Sequence, residues 1–282
     1  MYKVLGLGKL GCAIAEEFTA YPEYRVYKID ADTSERASLS VGKYSDMQEY
    51  ENSLEKDEVE IYLRSIKDGD EVLFILEGGE PISGASLSIL ETIRSAKISV
   101  MYIVPDRELC SLVQKRDDRI CFYVMQEYAR SGLFDNLFLL EKSSVESLIG
   151  DVSIQAHEKQ MAYFIAYIFA MLNYFKHTDS VLSGEITRND ISRLSTLGIC
   201  SLDSETSMLF PLQDIKDTMF FYGIPEKELG EDQSLMRKIK SHVKDRNPGE
   251  SAGFSIYSTT LEKPFIVGMY SSAEVQKLPK EF

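Results

Sequence analysis

The sequence predicts an α/β protein with a doubly wound parallel sheet, a long central helix and a smaller α+β domain after it. Apolar, β-rich runs alternate with helix-periodic stretches over residues 1 to about 150, which is the pattern of a parallel sheet covered by helices. A long apolar stretch follows from Gln155 to about Phe175, and the rest of the chain loses that alternation. We therefore expect a first domain over 1–153, a connecting helix over 154–178 and a second domain over 179–282.

The first domain opens with a predicted β-α-β unit. Its strands are YKVLGLG and YRVYKID, and the helix between them is GCAIAEEFTAY. A charged helical segment, SLEKDEVEIYLRSIKDGD, leads to EVLFILEGGEPISGASLSILETIRSAKISVMYIVPD. This second unit predicts a strand, a glycine-containing loop, a helix and a strand that ends at Pro105. The alternation continues through RICFYVMQEYARSG, LFDNLFLLE and SVESLIG.

The central helix and the second domain follow from a change of pattern. QAHEKQMAYFIAYIFAMLNYF is apolar nearly all round after its first turn, which predicts a helix buried on most sides. Its apolar part, MAYFIAYIFAMLNYF, is shorter than the ~20 apolar residues of a membrane span. Beyond it, RNDISRLSTLG is a helix candidate with Asp190 as its N-cap. The other expected elements are the strands MLFPL and TMFFYGI, the helix EDQSLMRKIKSHVKDR, and the strands GFSIYSTTLE and PFIVGMYSSA.

Composition narrows the class of protein. A hydrophobic fraction of 44% and a charged fraction of 27% are those of an ordinary soluble globular chain. The net charge of −14 disfavours direct binding to nucleic acid or to anionic lipid. Four cysteines without metal-ligand spacing argue against a zinc site and fit a reducing compartment. The opening strand leaves no room for a signal peptide, so we expect a cytoplasmic protein. From the net charge we expect no direct nucleic-acid partner and no membrane partner.

The first glycine loop has the form GxGxxG, with Gly6, Gly8 and Gly11, and Asp30 ends the next apolar run. Taken alone, this pattern predicts a dinucleotide site with Asp30 on the ribose hydroxyls. Lys9 and Cys12 belong to the same candidate site. A helix N-terminus lowers the pKa of a thiol, but no histidine lies near Cys12 in sequence, and we expect this side chain to serve in packing.

A second glycine loop lies between an apolar strand and a helix. Glycines and small side chains there let backbone N–H groups approach a phosphate closely, and two hydroxyls are available as further donors. The candidate phosphate-binding residues of this loop are Gly78, Gly79, Ser83, Gly84, Ala85 and Ser86. Two such loops at one edge of a parallel sheet could hold a polyphosphate from both sides, which favours a nucleoside triphosphate over NAD.

Taken in order, these segments resemble the tubulin/FtsZ superfamily. GLGKLGCAIA is similar to its first glycine loop, YKIDADTSERASL to the strand and acidic turn that follow, and GGEPISGASLSILETIRSAKISVMYIVPD to its phosphate loop and the next elements. The resemblance implies GTP or GDP as ligand, with Mg²⁺, and head-to-tail association into a homopolymer. It further implies that Glu158, near the start of the central helix, holds the edge of the base. Asp190 of one subunit would be the catalytic carboxylate for the nucleotide of the next.

The chain departs from the superfamily pattern at three places. The signature GGGTGTG is replaced in its middle by Glu80, Pro81 and Ile82, and Glu80 adds a negative charge while Pro81 removes a backbone donor. The loop that resembles NxDxxD reads ITRNDISR, in which Asp190 is the sole carboxylate. No aromatic residue replaces the one that stacks on guanine in the family. These departures imply weak phosphate binding and weak or lost hydrolysis.

Three hypotheses of function therefore stand at this point. The first is a filament-forming, guanine-nucleotide-binding protein. The second keeps the fold but binds no nucleotide, and acts as a scaffold or regulator. The third is an NAD-dependent oxidoreductase, against which stand the second glycine loop and the scarcity of catalytic bases among three histidines. Because the net charge is −14, a DNA cargo would need a protein adaptor.

Overall fold

The computed structural model describes residues 1–31, 33, 38–184, 189–202 and 206–278. They form two compact units, one over Met1–Ala166 together with the chain from Lys277, and the other over Tyr167–Gln276. The division between the units falls inside the long helix. The domain boundaries expected from the sequence, at 153 and 178, stay a prediction.

The first unit is built on the predicted parallel sheet. Its strands are β1 (Tyr2–Leu7), β2 (Tyr24–Ala31), β3 (Ser38–Val41), β4 (Glu71–Glu77), β5 (Lys97–Val104) and β6 (Asn136–Glu141). They lie in the order β3-β2-β1-β4-β5-β6, and each neighbouring pair in this order runs parallel. β1, β4 and β5 are buried along most of their length. Their continuous apolar runs are what strands need when both faces of a sheet are covered.

Helices lie between β1 and β2 and between successive strands from β3 to β6, where they form the crossovers that parallel pairing needs. They are α1 (Gly8–Glu17), α2 (Met47–Ser53), α3 (Lys56–Leu63), α4 (Ser86–Thr92), α5 (Leu112–Arg130) and α6 (Lys142–Ile149). Short 3₁₀ helices extend α1 over Phe18–Ala20 and precede α4 over Pro81–Ala85. α5 begins with a capping box, in which Ser111 and Gln114 satisfy each other's backbone N–H groups.

The predicted central helix is confirmed as α7 (Ile154–Lys176). From Met161 onward most of its side chains are buried, whereas those of its first two turns are exposed or half-buried. Burial of this later part follows from its apolar sequence. In the part of the chain that the structure describes, no helix combines the length and the apolar character needed to cross a membrane.

The second unit is the expected α+β segment. Its strands are β7 (Leu182–Gly184), β8 (Leu194–Cys200), β9 (Ser207–Met208), β10 (Ile215–Pro225), β11 (Ser251–Thr259) and β12 (Phe265–Ser272). They lie in the order β8-β12-β10-β11-β7, with β9 beside β8. β10 and β11 are parallel, and their connection carries α8 (Glu226–Glu231) and α9 (Leu235–Arg246). The other pairs are antiparallel.

Two predictions for this unit are wrong. RNDISRLSTLG does not form a helix with Asp190 as its cap: Asp190 lies in a turn, and from Leu194 the chain is strand β8. β8 pairs with β12 over its whole length, from Leu194 with Ser272 to Cys200 with Ile266. This pairing with a distant segment outweighs the local helix signal.

MLFPL was predicted as a strand, but β9 ends at Met208. Leu209 and Phe210 are fully buried and lie outside β9, although the Leu209 N–H still donates to the carbonyl oxygen of Leu197 on β8 at 2.8 Å. Pro211 has no N–H group to donate, which disfavours continuation of the strand. Burial of the side chains, together with this hydrogen bond, therefore holds the segment in place.

Candidate functional site

Both glycine loops of the first unit lie at one edge of its sheet. β1 and β4 are parallel neighbours, with Leu7 opposite Leu76, so their carboxyl ends, and the loops that follow, lie side by side. In the sheet, β2 and then β3 follow on one side of β1, whereas β4, β5 and β6 follow on its other side. The position between β1 and β4 is therefore a topological switch point, where open α/β sheets bind their ligands.

Gly6 and Gly11 allow α1 to pack closely on the sheet. A Cβ atom on Gly6 would overlap the carbonyl oxygen of Gly11, and one on Gly11 would lie 2.6 Å from the carbonyl oxygen of Ile75. Larger residues would push α1 away from β1 and β4. These two glycines therefore have a packing role whatever the loop binds.

Gly8 begins α1 and lies at the centre of the site. Its φ is +74°, a left-handed conformation that favours glycine. A Cβ atom there would overlap the Oε2 atom of Glu80 and lie 3.0 Å from Cγ2 of Ile82. The backbone N–H of Lys9 donates to the Glu80 carboxylate. Since the first N–H groups of a helix attract anions, this carboxylate lies where a phosphate would be expected.

The glycines of the second loop are enclosed by neighbouring elements. A Cβ atom on Gly78 would overlap the side chains of Tyr102 and Asp118, and one on Gly84 would overlap the carbonyl oxygen of Met47. Gly79 has a φ of +77°, and a Cβ atom there would lie 2.9 Å from a carbonyl oxygen of α5. Close packing against β5, α5 and α2 thus requires glycine at all three positions.

The small residues of the second loop face the interior. Ser83 and Ser86 are 1% and 2% exposed, and Ala85 is fully buried. The Ser83 hydroxyl donates to the carbonyl oxygen of Glu80 at 2.7 Å. The hydroxyls expected as phosphate donors are therefore placed inside the unit, and Ser83 fixes the backbone of Glu80.

Carboxylates dominate the electrostatics of the site. Burial, together with the nearby charges of Glu77 and Asp30, raises the pKa of Glu80 to about 7. Burial also raises the pKa of Glu77, against the opposing effect of Lys142, whose Nζ lies 3.3 Å from Glu77 Oε1. Asp30 accepts a hydrogen bond from the backbone N–H of Ala31 at 2.8 Å.

Lys9 and Glu158 form an ion pair at this edge. Their Nζ and Oε1 atoms are 2.6 Å apart, and both side chains are mostly exposed. The hydrogen bond to Lys9 lowers the pKa of Glu158. The structure thus brings Glu158, expected at the base, next to Lys9 of the first glycine loop.

Cys12 packs beneath the first loop. Its thiol lies 3.4 Å from the carbonyl oxygens of Gly6 and Ile29. Burial raises the pKa of the thiol to about 12, because the charged thiolate is poorly solvated there. The expected effect of the helix N-terminus is outweighed, and Cys12 is placed as a packing residue.

The site also contains residues that the sequence does not predict: Glu77, Lys142 and the buried pair of Asp118 and Arg107. Asp118 is fully buried, forms an ion pair with Arg107 and accepts a hydrogen bond from Tyr102 at 2.7 Å. It lies against Gly78 and supports the second loop from behind. An acidic residue at the end of an apolar strand, as in EVLFILE, is the signal that could have identified Glu77.

Asp190 lies in the second unit, in an exposed turn. The neighbouring Asn189 donates its backbone N–H to Asp217 at 3.3 Å. Residues 186–188 of the loop predicted to carry Asp190, and most of the predicted turn after Asp30, lie outside the described residues. The catalytic role of Asp190 stays a prediction.

The second unit also holds a cavity of about 550 Å³. Three aromatic residues, Phe175, Phe221 and Tyr257, line it together with Asp179 and Asp217. The residues that the sequence singled out for a nucleotide do not line it. The candidate functional site is therefore the edge of the first unit's sheet.

The residues at this edge fit a bound nucleotide only in part. The glycines provide space and backbone N–H donors. However, the Glu80 carboxylate occupies the position at the N-terminus of α1 where a phosphate would be expected. Across the described ranges, no cluster of His, Cys, Asp and Glu residues is suited to hold a metal ion.

A doubly wound sheet with its candidate site at the switch point, a long helix and an α+β unit define the architecture. Comparison with solved structures identifies it as a tubulin/FtsZ-like fold. An FtsZ dimer from M. jannaschii matches with a TM-score of 0.69 and 11% identity, over 99% of this chain and 95% of that chain. CetZ2 from Haloferax volcanii, as a GTPγS-bound protofilament, matches with a TM-score of 0.73 and 12% identity, over 96% and 92%.

A protofilament of TubZ from Bacillus thuringiensis serovar israelensis, in its GTPγS form, also matches, with a TM-score of 0.70 and 12% identity. The match covers 96% of this chain and 86% of that chain. No protein-family profile and no curated protein sequence matches the chain. At such low identity, what is shared is the fold, which confirms the resemblance and the fold class predicted from the sequence.

Proposed function

We propose that this protein is a cytoskeletal subunit of the tubulin/FtsZ type, which self-associates head to tail into filaments. The observation that supports the proposal most is the fold likeness over nearly the whole chain, since two of the matching structures are protofilaments. A head-to-tail contact joins two different surfaces and does not close on itself. Repetition of such a contact produces a filament.

The ligand of the proposed subunit is a guanine nucleotide at the loops after β1 and β4. Support comes from the position of the loops at the switch point and from the GTPγS forms of the TubZ and CetZ2 structures. Gly6, Gly8, Gly11 and Lys9 would border the phosphates on one side. The loop Gly78–Ser86 would border them on the other, and Glu158 would contact the base.

We expect hydrolysis of the nucleotide to be weak or lost. Asp190 is the candidate catalytic carboxylate for any hydrolysis that remains. The proposal is tested by calorimetric titration with GTP and with a slowly hydrolysed GTP analogue in Mg²⁺, with light scattering recorded on the same samples. We expect binding together with nucleotide-dependent scattering. Asp190→Asn should retain binding and lower GTP turnover per assembled subunit; unchanged turnover would exclude a catalytic role for Asp190.

A second candidate function is a scaffold or regulator that keeps the fold and binds no nucleotide. The carboxylate of Glu80 at the N-terminus of α1 favours it, because that carboxylate already satisfies an N–H group that a phosphate would need. This candidate predicts an oligomeric state that GTP does not change. Sedimentation that depends on GTP would exclude it.

The NAD-dependent oxidoreductase is the remaining alternative, and the fold likeness gives it no support. It predicts enhanced NADH fluorescence on mixing with the protein. For the cytoskeletal subunit we propose a cytoplasmic location, with other copies of this chain as its partners. A net charge of −14 disfavours direct contact with nucleic acid, so an attached DNA would require an adaptor protein.

A further inference from the structure

Glu80 belongs to the second glycine loop, yet its carboxylate reaches the first. We infer that Glu80 is an internal anion at the phosphate position of the proposed nucleotide site, and that it determines the affinity of this site for phosphate. The inference rests on the proposed function for the class of ligand, a nucleoside polyphosphate. It goes beyond that proposal because it names the group with which the ligand competes.

The Glu80 carboxylate lies at the first turn of α1. Its Oε2 atom lies so near Gly8 that a Cβ atom there would overlap it, and the backbone N–H of Lys9 donates to it. α1 has ten residues, and its own N-cap residue, Leu7, offers no side-chain hydrogen bond. Glu80 therefore serves as the acceptor that a capping side chain would ordinarily supply.

The backbone directs the side chain to this position. Glu80 precedes Pro81 and has an extended conformation, with φ −75° and ψ 136°, as expected for a residue before proline. Its carbonyl oxygen accepts hydrogen bonds from the Ser83 N–H at 3.0 Å and from the Ser83 hydroxyl at 2.7 Å. A loop held in this way fixes where the Glu80 side chain begins.

Charged groups surround the carboxylate. Glu77 on β4 and Asp30 on β2 repel it, whereas Lys142 on α6 and the backbone of Lys9 attract it. The Lys9 ammonium group is engaged by Glu158 of α7. A buried carboxylate beside two others is unfavourable unless N–H donors compensate it, and the start of α1 is the source of such donors.

A phosphate and the Glu80 carboxylate cannot occupy this position together. A phosphate that entered would displace the carboxylate from Lys9 N–H and would itself face Asp30, Glu77 and the displaced Glu80. Wild-type affinity for phosphate should therefore be low. Removing the charge or the side chain of Glu80 should raise it.

The test is calorimetric titration of wild-type protein, Glu80→Gln and Glu80→Ala at pH 7.5 in Mg²⁺. GTP is one probe, and inorganic tripolyphosphate, which lacks the base and the sugar, is the other. Glu91→Gln is the matched control, since Glu91 is an exposed residue of α4 that pairs with Lys56 and its loss changes the net charge equally. Circular dichroism and thermal unfolding check that each variant is folded.

We expect both Glu80 variants to bind both probes at least tenfold more tightly than wild type, and Glu91→Gln to match wild type. Glu80→Gln keeps the size of the side chain, whereas Glu80→Ala removes it. If both variants bind the probes more tightly, the gain in affinity cannot be attributed to misfolding of one variant. Equal affinities of wild type and the Glu80 variants for GTP would overturn the inference while leaving the proposed function intact. No binding by any variant would overturn the inference and the nucleotide part of the proposal, whereas light scattering would still test filament formation.

Discussion

Gly8, in the first glycine loop, lies against the side chain of Glu80 from the second glycine loop. Its positive φ and its contact with the Glu80 carboxylate are two separate reasons for glycine at this position. The first reason concerns the backbone of this residue alone. The second depends on a side chain from a loop that is distant in sequence, and the two can be separated by mutation.

Gly8→Ala should destabilise the protein by about 2–4 kcal/mol, the sum of a left-handed alanine and of overpacking. Gly69→Ala is the matched control, because Gly69 has a φ of +75° and nothing within 4 Å of its Cβ position. We expect about 1 kcal/mol there. Urea unfolding measures both changes.

In a Glu80→Ala background, the cost of Gly8→Ala should fall toward that of Gly69→Ala, because the overlapping carboxylate is gone. A cost that is unchanged in that background would show that Glu80 does not lie against Gly8. The double-mutant cycle therefore tests the contact independently of any ligand.

Glu80 should also make stability depend on pH. Its pKa in the folded protein is raised to about 7 by burial, above the ordinary value near 4.3 of an unfolded chain. The folded state thus holds the proton more tightly, and the stability this confers is complete below about pH 4 and is lost as the pH rises through 7.

Above pH 8, Glu80→Gln should accordingly be more stable than wild type, by on the order of 3 kcal/mol. The difference should shrink as the pH is lowered toward 5. Urea unfolding at several pH values measures it, with Glu91→Gln as the control that shows no such gain at alkaline pH. Parallel pH profiles of wild type and Glu80→Gln would contradict the assignment of the buried carboxylate.

At the scale of elements, the last turn of α7 anchors the helix in the second unit. Phe175 is fully buried, and its ring stacks on Tyr257 at 4.7 Å and on Phe221 at 6.4 Å between centroids. A Cβ atom on Gly223 would lie 2.7 Å from the Phe175 ring. The ring thus fits directly over the backbone of β10.

Phe175→Ala should destabilise the protein by about 3–5 kcal/mol, because it removes a large buried side chain and leaves a cavity. Tyr174→Ala is the control on the same helix turn, since Tyr174 is 51% exposed, and we expect a change within about 1 kcal/mol. Chemical denaturation followed by circular dichroism compares them. Equal losses for both variants would show that Phe175 is not the anchor.

Most elements could be predicted from local sequence because their signals are strong. The continuous apolar runs of β1, β4 and β5, and the long apolar run of α7, leave little choice of structure. One failure came where a distant contact decides, and the other came at a proline within the predicted strand. Asp190 looks like a helix cap, but β12 recruits Leu194–Cys200 as a strand. Leu209 and Phe210 look like a strand, but Pro211 interrupts the backbone.

The location of the candidate site can be predicted from the sequence, but the arrangement of its side chains cannot. Glycine spacing located both loops, and parallel pairing of β1 with β4 brings them together. The sequence could not show that Ser83 and Ser86 point inward, nor that Glu80 reaches the start of α1, because these depend on how β5, α5 and α2 pack around the loop. The sequence shows that Glu80 brings a negative charge to the loop, but it does not show where the carboxylate lies.

At the scale of the whole molecule, the fold likeness to proteins solved as protofilaments and the net negative charge of the chain both bear on assembly. A net charge of −14 opposes association at low salt, so screening by salt should favour filaments. Head-to-tail association should also depend steeply on protein concentration, because the contact does not close.

The central claim is that copies of this chain join head to tail, and electron microscopy of the purified wild-type protein tests it most directly. Samples over a range of concentrations, with GTP, with GDP and without nucleotide, would be imaged at near-physiological salt. We predict filaments with one subunit per longitudinal repeat that lengthen as the concentration rises. Monomers or closed oligomers of fixed size at every concentration and with every nucleotide would contradict the claim.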